Sequence, residues 1–263
     1  MAWRYAASSV TGTSHKASDT DCQDAHRCAD LIGPNGNSAL AVVVSDGAGS
    51  AQAGAIGAAI VTSGLLARAE IWVADGRATT DLNRGTFLSW LDGVRESIAE
   101  DAGVRDLEMR DYAATLLFAL VDDHASVFAQ IGDGALVTSD TSADWAAQFW
   151  PQHGDYANQT YFVTDLPAHG RLDFAHGLYP VHELAVFTDG LERVLLDFAE
   201  RRAHVPVFEK MLHPLRDSNG SGHVDGLSAA LTAYLTSAPI IARADDDLTL
   251  VIASRRRAAS KAA

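Results

Sequence analysis

Residues Ser38–Ser45 read SALAVVVS, an almost continuous run of small and β-branched apolar side chains that stops at Asp46-Gly47. A run with no polar alternation belongs to a strand covered on both faces. The fold must therefore supply partners on either side of it. Upstream, residues 1–9 and 25–31 read as short strands. Downstream, residues 50–69 read as a helix with Ser50 as its N-cap, and their Ala and Gly content predicts close packing against something flat. A second helix is marked by Phe87, Leu88, Leu91, Val94 and Ile98 at helical spacing, with Arg95, Glu96 and Glu100 on the other face.

The period then changes. Residues 113–121 and 126–131 are apolar runs around Asp122-Asp123-His124, a hairpin signal. Gly132-Asp133-Gly134 makes the next turn, residues 135–138 the next strand, and residues 145–150 a further one. Residues 151–177 are the least regular part and read as loops or a small insert. Residues 183–188 form a strand ending at Asp189-Gly190, residues 191–202 and 224–237 read as helices, and residues 247–254 (DLTLVIAS) as a last strand. Residues 255–263 read as a basic, solvated tail. Blocks of like elements point to an α+β fold, with two sheets and paired helices on their outer faces. The expected unit spans residues 1–254, with the variable insert at about 151–177.

Composition narrows the function classes. The chain has 263 residues and a formal net charge of -14, with 48% hydrophobic and 21% charged residues. A chain of this size buries roughly three quarters of its unfolded surface and needs no staple. Its acid excess argues against nucleic acid or an anionic membrane as partner and is compatible with divalent cations. Cys22 and Cys28 are too few for a disulfide framework; two thiols in a reducing cytoplasm are expected, with pairing as the alternative. Residues 1–14 are too short and polar for a signal peptide, and the weakly polar stretch 54–69 is interrupted by Thr62 and Ser63, so neither leader nor membrane span is expected. A cytoplasmic location and a monomer are the expectations.

Apolar strands repeatedly end in Asp-Gly: Asp46-Gly47, Asp133-Gly134 and Asp189-Gly190. The last strand starts beside Asp245-Asp246, and Asp24 stands at the entry to the second. One Asp-Gly pair is an ordinary turn. Several at the mouths of buried strands converge in space, where they repel one another and raise their own pKa values. Divalent cations remove that conflict, and oxygen donors without a His/Cys cluster favour Mg²⁺, Mn²⁺ or Ca²⁺ over Zn²⁺. Two such ions about 3.5–4 Å apart share a bridging water, lower its pKa and neutralise a phosphate, with no side-chain nucleophile.

In chain order, Cys22-Gln23-Asp24-Ala25, Val44-Ser45-Asp46-Gly47-Ala48-Gly49-Ser50, Ala114-Thr115-Leu116-Leu117, Gln130-Ile131-Gly132-Asp133-Gly134-Ala135, Phe187-Thr188-Asp189-Gly190 and Asp246-Asp247-Leu248-Thr249-Leu250 resemble the metal-dependent type 2C (PPM) protein serine/threonine phosphatases. The bacterial branch is the most similar, and Asn158-Gln159-Thr160-Tyr161-Phe162 also resembles a segment of it. The resemblance spans residues 11 to about 254. It implies a four-layer α-β-β-α sandwich of two antiparallel sheets flanked by helix pairs, binding two or three Mn²⁺ or Mg²⁺ ions. It implies that Asp46 bridges two ions and that the Gly47 carbonyl binds one of them. It further implies that Asp189 and Asp246 hold one ion, that Asp24 serves the other directly or through water, and that Asp133 with Asp189 takes a third, weaker ion. Thr115 is expected in the core or behind the ligands. The implied activity is hydrolysis of phosphoserine and phosphothreonine by direct attack of a metal-bridging water, on a phosphoprotein that a Ser/Thr kinase has modified.

The chain also departs from the family. Many relatives grip the phosphate with an Arg five residues before the position of Asp24; here that place is Asp19. His15 or Lys16 is the candidate replacement, and a structural histidine is the equal alternative for His15. Gln23 stands where relatives often carry Glu, and Ala48 where eukaryotic relatives carry a His acid. Three rivals are weighed against this reading. Asp19-Thr20-Asp21 superficially resembles aspartyl-phosphate-forming pairs but follows no apolar strand. Gly47-Ala48-Gly49 lacks the Lys of a phosphate-binding loop. A non-catalytic, metal-binding regulatory module is the serious alternative, and the complete acidic set argues against it.

Overall fold

The computed structural model describes residues 2–34, 36–140, 144–153 and 160–256. Asn158 and Gln159 of the family-like stretch, and tail residues 257–263, lie outside the described residues.

In chain order the elements are β1 (Arg4–Val10), α1 (Thr13–Ala17), β2 (Ala25–Ile32), β3 (Ser38–Ser45), α2 (Gly54–Ala74), α3 (Arg84–Arg105), β4 (Leu116–Val121), β5 (Ser126–Ile131), β6 (Ala135–Ser139) and β7 (Trp145–Ala147). There follow α4 (Ala168–Arg171), β8 (Asp173–Gly177), β9 (Glu183–Phe187), α5 (Glu192–Leu195), β10 (Leu196–Asp197), β11 (Arg202–Ala203), α6 (Val205–Asp217), β12 (Gly222–His223), α7 (Asp225–Leu235), α8 (Ala238–Ile241) and β13 (Leu248–Ser254).

Both faces of β3 are covered, as its unbroken apolar run requires. Leu40, Val42 and Val44 enter a core between the two sheets, with Val186 and Val251 from the other sheet. Ala39, Ala41 and Val43 face the opposite way, into a core with Val61 and Leu65 of α2 and Phe87, Leu91 and Val94 of α3. This is the period of two applied to a strand with no solvent face. One sheet has the order β2-β3-β4-β5-β8 and the other β12-β1-β13-β9-β6-β7. A third core lies outside the second sheet, where Phe208 and Leu212 of α6 and Leu231 and Leu235 of α7 cover Phe187 and Leu250. The four layers are helices, sheet, sheet, helices, as expected. Pairing is antiparallel throughout the large sheets except at one edge, where β12 adds two residues parallel to β1.

Four local expectations are corrected. The helix after Asp46 starts at Gly54, and Ser50 does not cap it. Instead the Gln23 side-chain oxygen accepts from Ala55 N (3.0 Å), so the residue in the Glu position of the relatives closes the first turn of α2 from another segment. A Cβ on Gly57 would lie 2.2 Å from the Tyr112 carbonyl, which shows how closely α2 approaches its neighbours. Residues 191–202 are not one helix: α5 ends after four residues, and β10 and β11 pair as a separate ribbon. The irregular insert ends in β8, which pairs with β5 along the sheet edge. The tail does not begin at Arg255. That side chain is buried, with Nε donating to Val181 O (2.6 Å), Nη1 to Asp123 (2.6 Å), and its guanidinium 4.9 Å from the Trp3 ring centre.

α2 is long and apolar enough to cross a membrane by length and composition, and half of its most apolar window is buried inside the fold. The Cys22 and Cys28 thiols are both free.

The strand directions place the acids. β2 begins where β3 ends, because they run antiparallel with Ala25 opposite Ser45. β13 begins beside the end of β9, with Leu250 opposite Phe187. The β5–β6 turn is at the same edge, since Ala135 also lies opposite Phe187. Asp24, Asp46, Asp133, Asp189 and Asp246 therefore gather at one edge of the sandwich.

Candidate active site and metal centre

Asp46 follows the last residue of β3, and its backbone is clamped from β4. Its N–H donates to Thr115 Oγ1 (2.9 Å), and its carbonyl accepts from Thr115 N (2.8 Å). The Ser45 hydroxyl donates to Thr115 O (2.6 Å). Thr115 thus positions Asp46 from behind. Gly47 is required by space, not by φ: a Cβ there would lie 2.4 Å from the Gly54 carbonyl. Gly134 is required by conformation, with φ of 78°.

A cleft of about 750 Å³ opens above these loops, and Asp46, Asp133, Asp189 and Asp246 all line it. Asp24 lies buried behind them. Its Oδ2 accepts from Thr188 Oγ1 (2.8 Å), and its Oδ1 has no partner. Asp189 likewise keeps a buried, unpartnered Oδ1. Burial, followed by the charges of Asp24, Asp189 and Asp133, pushes the Asp46 carboxyl well above its ordinary range. Asp24 is raised by burial and by Asp247 and Asp189, against the lowering effect of its threonine hydrogen bonds. Asp133 and Asp189 are raised too, first by burial and then by neighbouring carboxylates. Buried oxygens without donors, in a cluster that holds its own charge at a cost, fit hard divalent cations.

The other predicted residues are distributed around this cluster. Gly47 is buried beside Asp46 and is not part of the cleft wall. His15 on α1 sits 3.0 Å from Asp247 through Nδ1, and its donor atom lies within 4.8 Å of Asp246 and Asp247 oxygens. Lys16 is exposed on the same short helix and does not line the cleft. Asp19 occupies an exposed left-handed position, with φ of 53°.

Sequence reasoning missed Asp247 and Glu192. Asp247 Oδ1 accepts from Gly12 N (2.7 Å) and Oδ2 from Gln23 N (2.6 Å), so it ties the first loop and the entry to β2 to the start of β13. Its neighbours in a run of three aspartates masked it. Glu192 lines the cleft, with Oε1 accepting from Gly134 N (2.7 Å) and Oε2 3.5 Å from His153 Nε2. Burial pushes its carboxyl up to about 8. Its signal was its spacing, three residues after Asp189, one helical turn on. Arg193 and Arg243 also line the cleft, and neither forms an ion pair among the described residues.

The sequence profile of the family described as Protein phosphatase 2C matches residues 11–236. The chain belongs to the protein phosphatase 2C family. It is 32% identical over 253 residues to Serine/threonine-protein phosphatase 3 of Escherichia coli (strain K12), covering 96% of this chain and 98% of that one. Two solved structures of low identity share the fold. The serine/threonine phosphatase Stp1 from Staphylococcus aureus superposes with a TM-score of 0.63 at 16% identity, covering 95% of this chain and 94% of that one. The catalytic domain of the serine threonine protein phosphatase PstP in complex with 2 manganese ions gives 0.63 at 16% identity, covering 96% and 98%. As a protein phosphatase 2C member the chain is a hydrolase. Asp24, Asp46, Asp133 and Asp189 lie within the matched residues of this phosphatase, and Asp246 just beyond them.

Proposed function

We propose that this phosphatase hydrolyses phosphoserine and phosphothreonine on phosphoproteins, with two Mg²⁺ or Mn²⁺ ions in the cleft and a third held more weakly. Asp46 would serve both ions of the pair, and the carbonyl of Gly47, buried next to it, would serve one of them. Asp189 and Asp246 would hold one ion, Asp24 would serve the other directly or through water, and Asp133 with Asp189 would hold the third. The observation that carries this reading is the meeting of Asp46, Asp133, Asp189 and Asp246 in one cleft, with buried oxygens of Asp24 and Asp189 left without protein donors.

Divalent ions held there would supply the acidity of a bound water and the positive charge that offsets the phosphate dianion. The chain's own part is placement. Thr115 fixes the Asp46 backbone, Thr188 orients Asp24, and Asp247 fastens the α1 loop beside Asp246. His15 or Lys16 is the proposed phosphate contact: His15 is supported by its place next to Asp246, whereas Lys16, outside the cleft wall, has only its charge on the same helix. Ala48 lines the cleft without a proton to give, so the departing oxygen takes its proton from water or another cleft group.

The name of the Escherichia coli relative supports serine/threonine specificity, and the manganese complex of PstP supports that metal. The substrate is then the product of a Ser/Thr kinase. The acid excess supports a partner other than nucleic acid or membrane, and the free thiols support a reducing cytoplasm. We take the acting unit to be a monomer. The deciding assay is phosphate release from a phosphothreonine peptide with Mn²⁺, with EDTA, and with Asp46→Asn. Loss of release in both EDTA and the variant is expected. Activity surviving both rejects the mechanism, and metal binding without activity on any phosphopeptide returns the regulatory-module reading.

A further inference from the structure

The β10–β11 ribbon, which replaces the helix expected there, is anchored at its base and leaves an aromatic ring at the cleft. Leu196 and Ala203 are buried in the outer core, whereas Phe198 on the turn between them is 42% exposed and lines the same cleft as the acids. The turn is fixed. Asp197 Oδ1 accepts from Glu200 N (3.1 Å), Asp197 Oδ2 lies 3.5 Å from Arg202 Nε, and Arg201 takes a left-handed φ of 49°. Two rings brace it: Trp150, just before the insert, meets it edge-on at 5.4 Å between centroids, and His153 in the insert lies 6.2 Å away. The Arg201 guanidinium in turn sits 5.0 Å from the Trp150 ring centre.

A single exposed aromatic on a surface needs no explanation. This one is braced on the wall of a cleft that the carboxylates also line, and at about 750 Å³ the cleft is far larger than a phosphate group. Chemistry at the acids engages only the phosphorylated side chain. The rest of the cleft is free to take the peptide that carries it.

We propose that Phe198, braced by Trp150, is a substrate-chain subsite: it packs against an apolar side chain flanking the phosphorylated residue and so sets which phosphopeptides the enzyme prefers. This rests on the phosphatase reading for the identity of the ligand. The ring is preformed, so little ordering is lost when a peptide docks. Apolar packing there adds to peptide affinity without touching the reacting atoms.

The test measures binding, so that it stands apart from turnover. Two fluorescein-labelled peptides carry a non-hydrolysable phosphonate analogue of phosphothreonine, one flanked by Leu and the other by Gly. Each is titrated with the Mn²⁺-loaded enzyme and read by anisotropy. The wild type should bind the Leu-flanked peptide about three- to tenfold more tightly. Phe198→Ala should erase that preference while leaving the Gly-flanked peptide unchanged, and Phe198→Tyr should restore it. Equal binding of the two peptides by the wild type, or a preference that persists in Phe198→Ala, overturns the proposal. Phosphate release from the corresponding phosphothreonine peptides reports separately on the phosphatase reading: a selective shelf with no release leaves the subsite standing and removes the activity.

Discussion

The Thr188 hydroxyl donates to Asp24 Oδ2 at 2.8 Å and accepts from Thr249 N at 3.0 Å, so one side chain links the end of β9, the start of β13 and the acid at the entry to β2. Its neighbour in sequence is Asp189. The same residue thus sets the angle of one carboxylate and precedes another. Thr188→Val keeps the shape and removes the donor. With that donor gone, burial raises the Asp24 carboxyl further, and the carboxylate loses its aim. We expect divalent-metal affinity to fall by about 10- to 100-fold, measured by calorimetric titration of the metal-free protein. Unchanged affinity would place Asp24 outside the metal site.

The carboxylate cluster holds repelling, desolvated groups without their cations. Asp46→Asn removes one charge from the middle of Asp24, Asp133 and Asp189. The variant should be inactive yet more stable than the wild type in EDTA, by about 1–3 kcal/mol. Metal should no longer raise its melting temperature as it does that of the wild type. Urea unfolding with and without Mn²⁺ checks both statements, and a variant less stable in EDTA than the parent contradicts the account of strain.

A pH dependence follows from the same groups. The folded carboxyls of Asp24, Asp46, Asp133, Asp189 and Glu192 are all raised, first of all by burial, Glu192 to about 8. For a raised carboxyl the folded state binds more protons than the unfolded one. Its contribution is full below the unfolded value near 4 and is lost as pH rises through the folded value. Metal-free protein should therefore melt lower at pH 8.5 than at pH 5.5, and saturating Mn²⁺ should flatten the slope. Glu209 has the opposite sign: its hydrogen bonds to Arg216 hold it down to about 2, so its contribution is present above about 4.5 and fades as pH falls toward 2. Thermal melts across pH, with EDTA or Mn²⁺, read both limbs.

Away from the cleft, Glu183 is fully buried and pairs with Arg216 through two contacts of 2.6 Å, with Ser254 donating to it as well. Arg256 reaches the same carboxylate. Glu183→Ala removes two hydrogen bonds from Arg216 at the junction of α6 and the β9 edge and leaves it paired with Glu209. It should cost about 1–3 kcal/mol in urea unfolding. The metal affinity of the folded fraction should be unchanged, because no residue of this network enters the cleft.

The residues that were easiest to read are those whose type is forced by geometry. An apolar run with no alternation, as in β3, can only be a strand covered twice, and Asp followed by Gly at its end marks the rim. That logic found Asp46, Asp133 and Asp189; Asp24, at the entry to a strand, and Asp246, beside the start of another, were marked by their place and by the family resemblance. It did not find α6, because Pro206 and Pro214 punctuate the segment; Pro206 lies in the first turn, where its missing N–H is harmless, and Phe208, Leu212 and Leu215 still form one buried face. Leu191, Val194 and Leu195 carry helical spacing, but the pattern is satisfied by a single turn, after which the chain pairs with itself as β10–β11. Ser50 has the chemistry of a helix cap, yet the cap comes from Gln23, far away in sequence. Asp247 acts through tertiary hydrogen bonds to Gly12 and Gln23 that no local spacing records, and Glu192, bonded to Gly134, had only its three-residue spacing from Asp189 to mark it.

The central claim is that Asp46, Asp189 and Asp246 enclose a pair of hard cations. Anomalous diffraction from crystals grown in saturating Mn²⁺ tests it most directly. The account predicts at least two manganese peaks in the cleft, one of them shared by the Asp46 carboxylate and its neighbours. A cleft with no anomalous peak between these carboxylates, or manganese bound only at other surfaces, contradicts it.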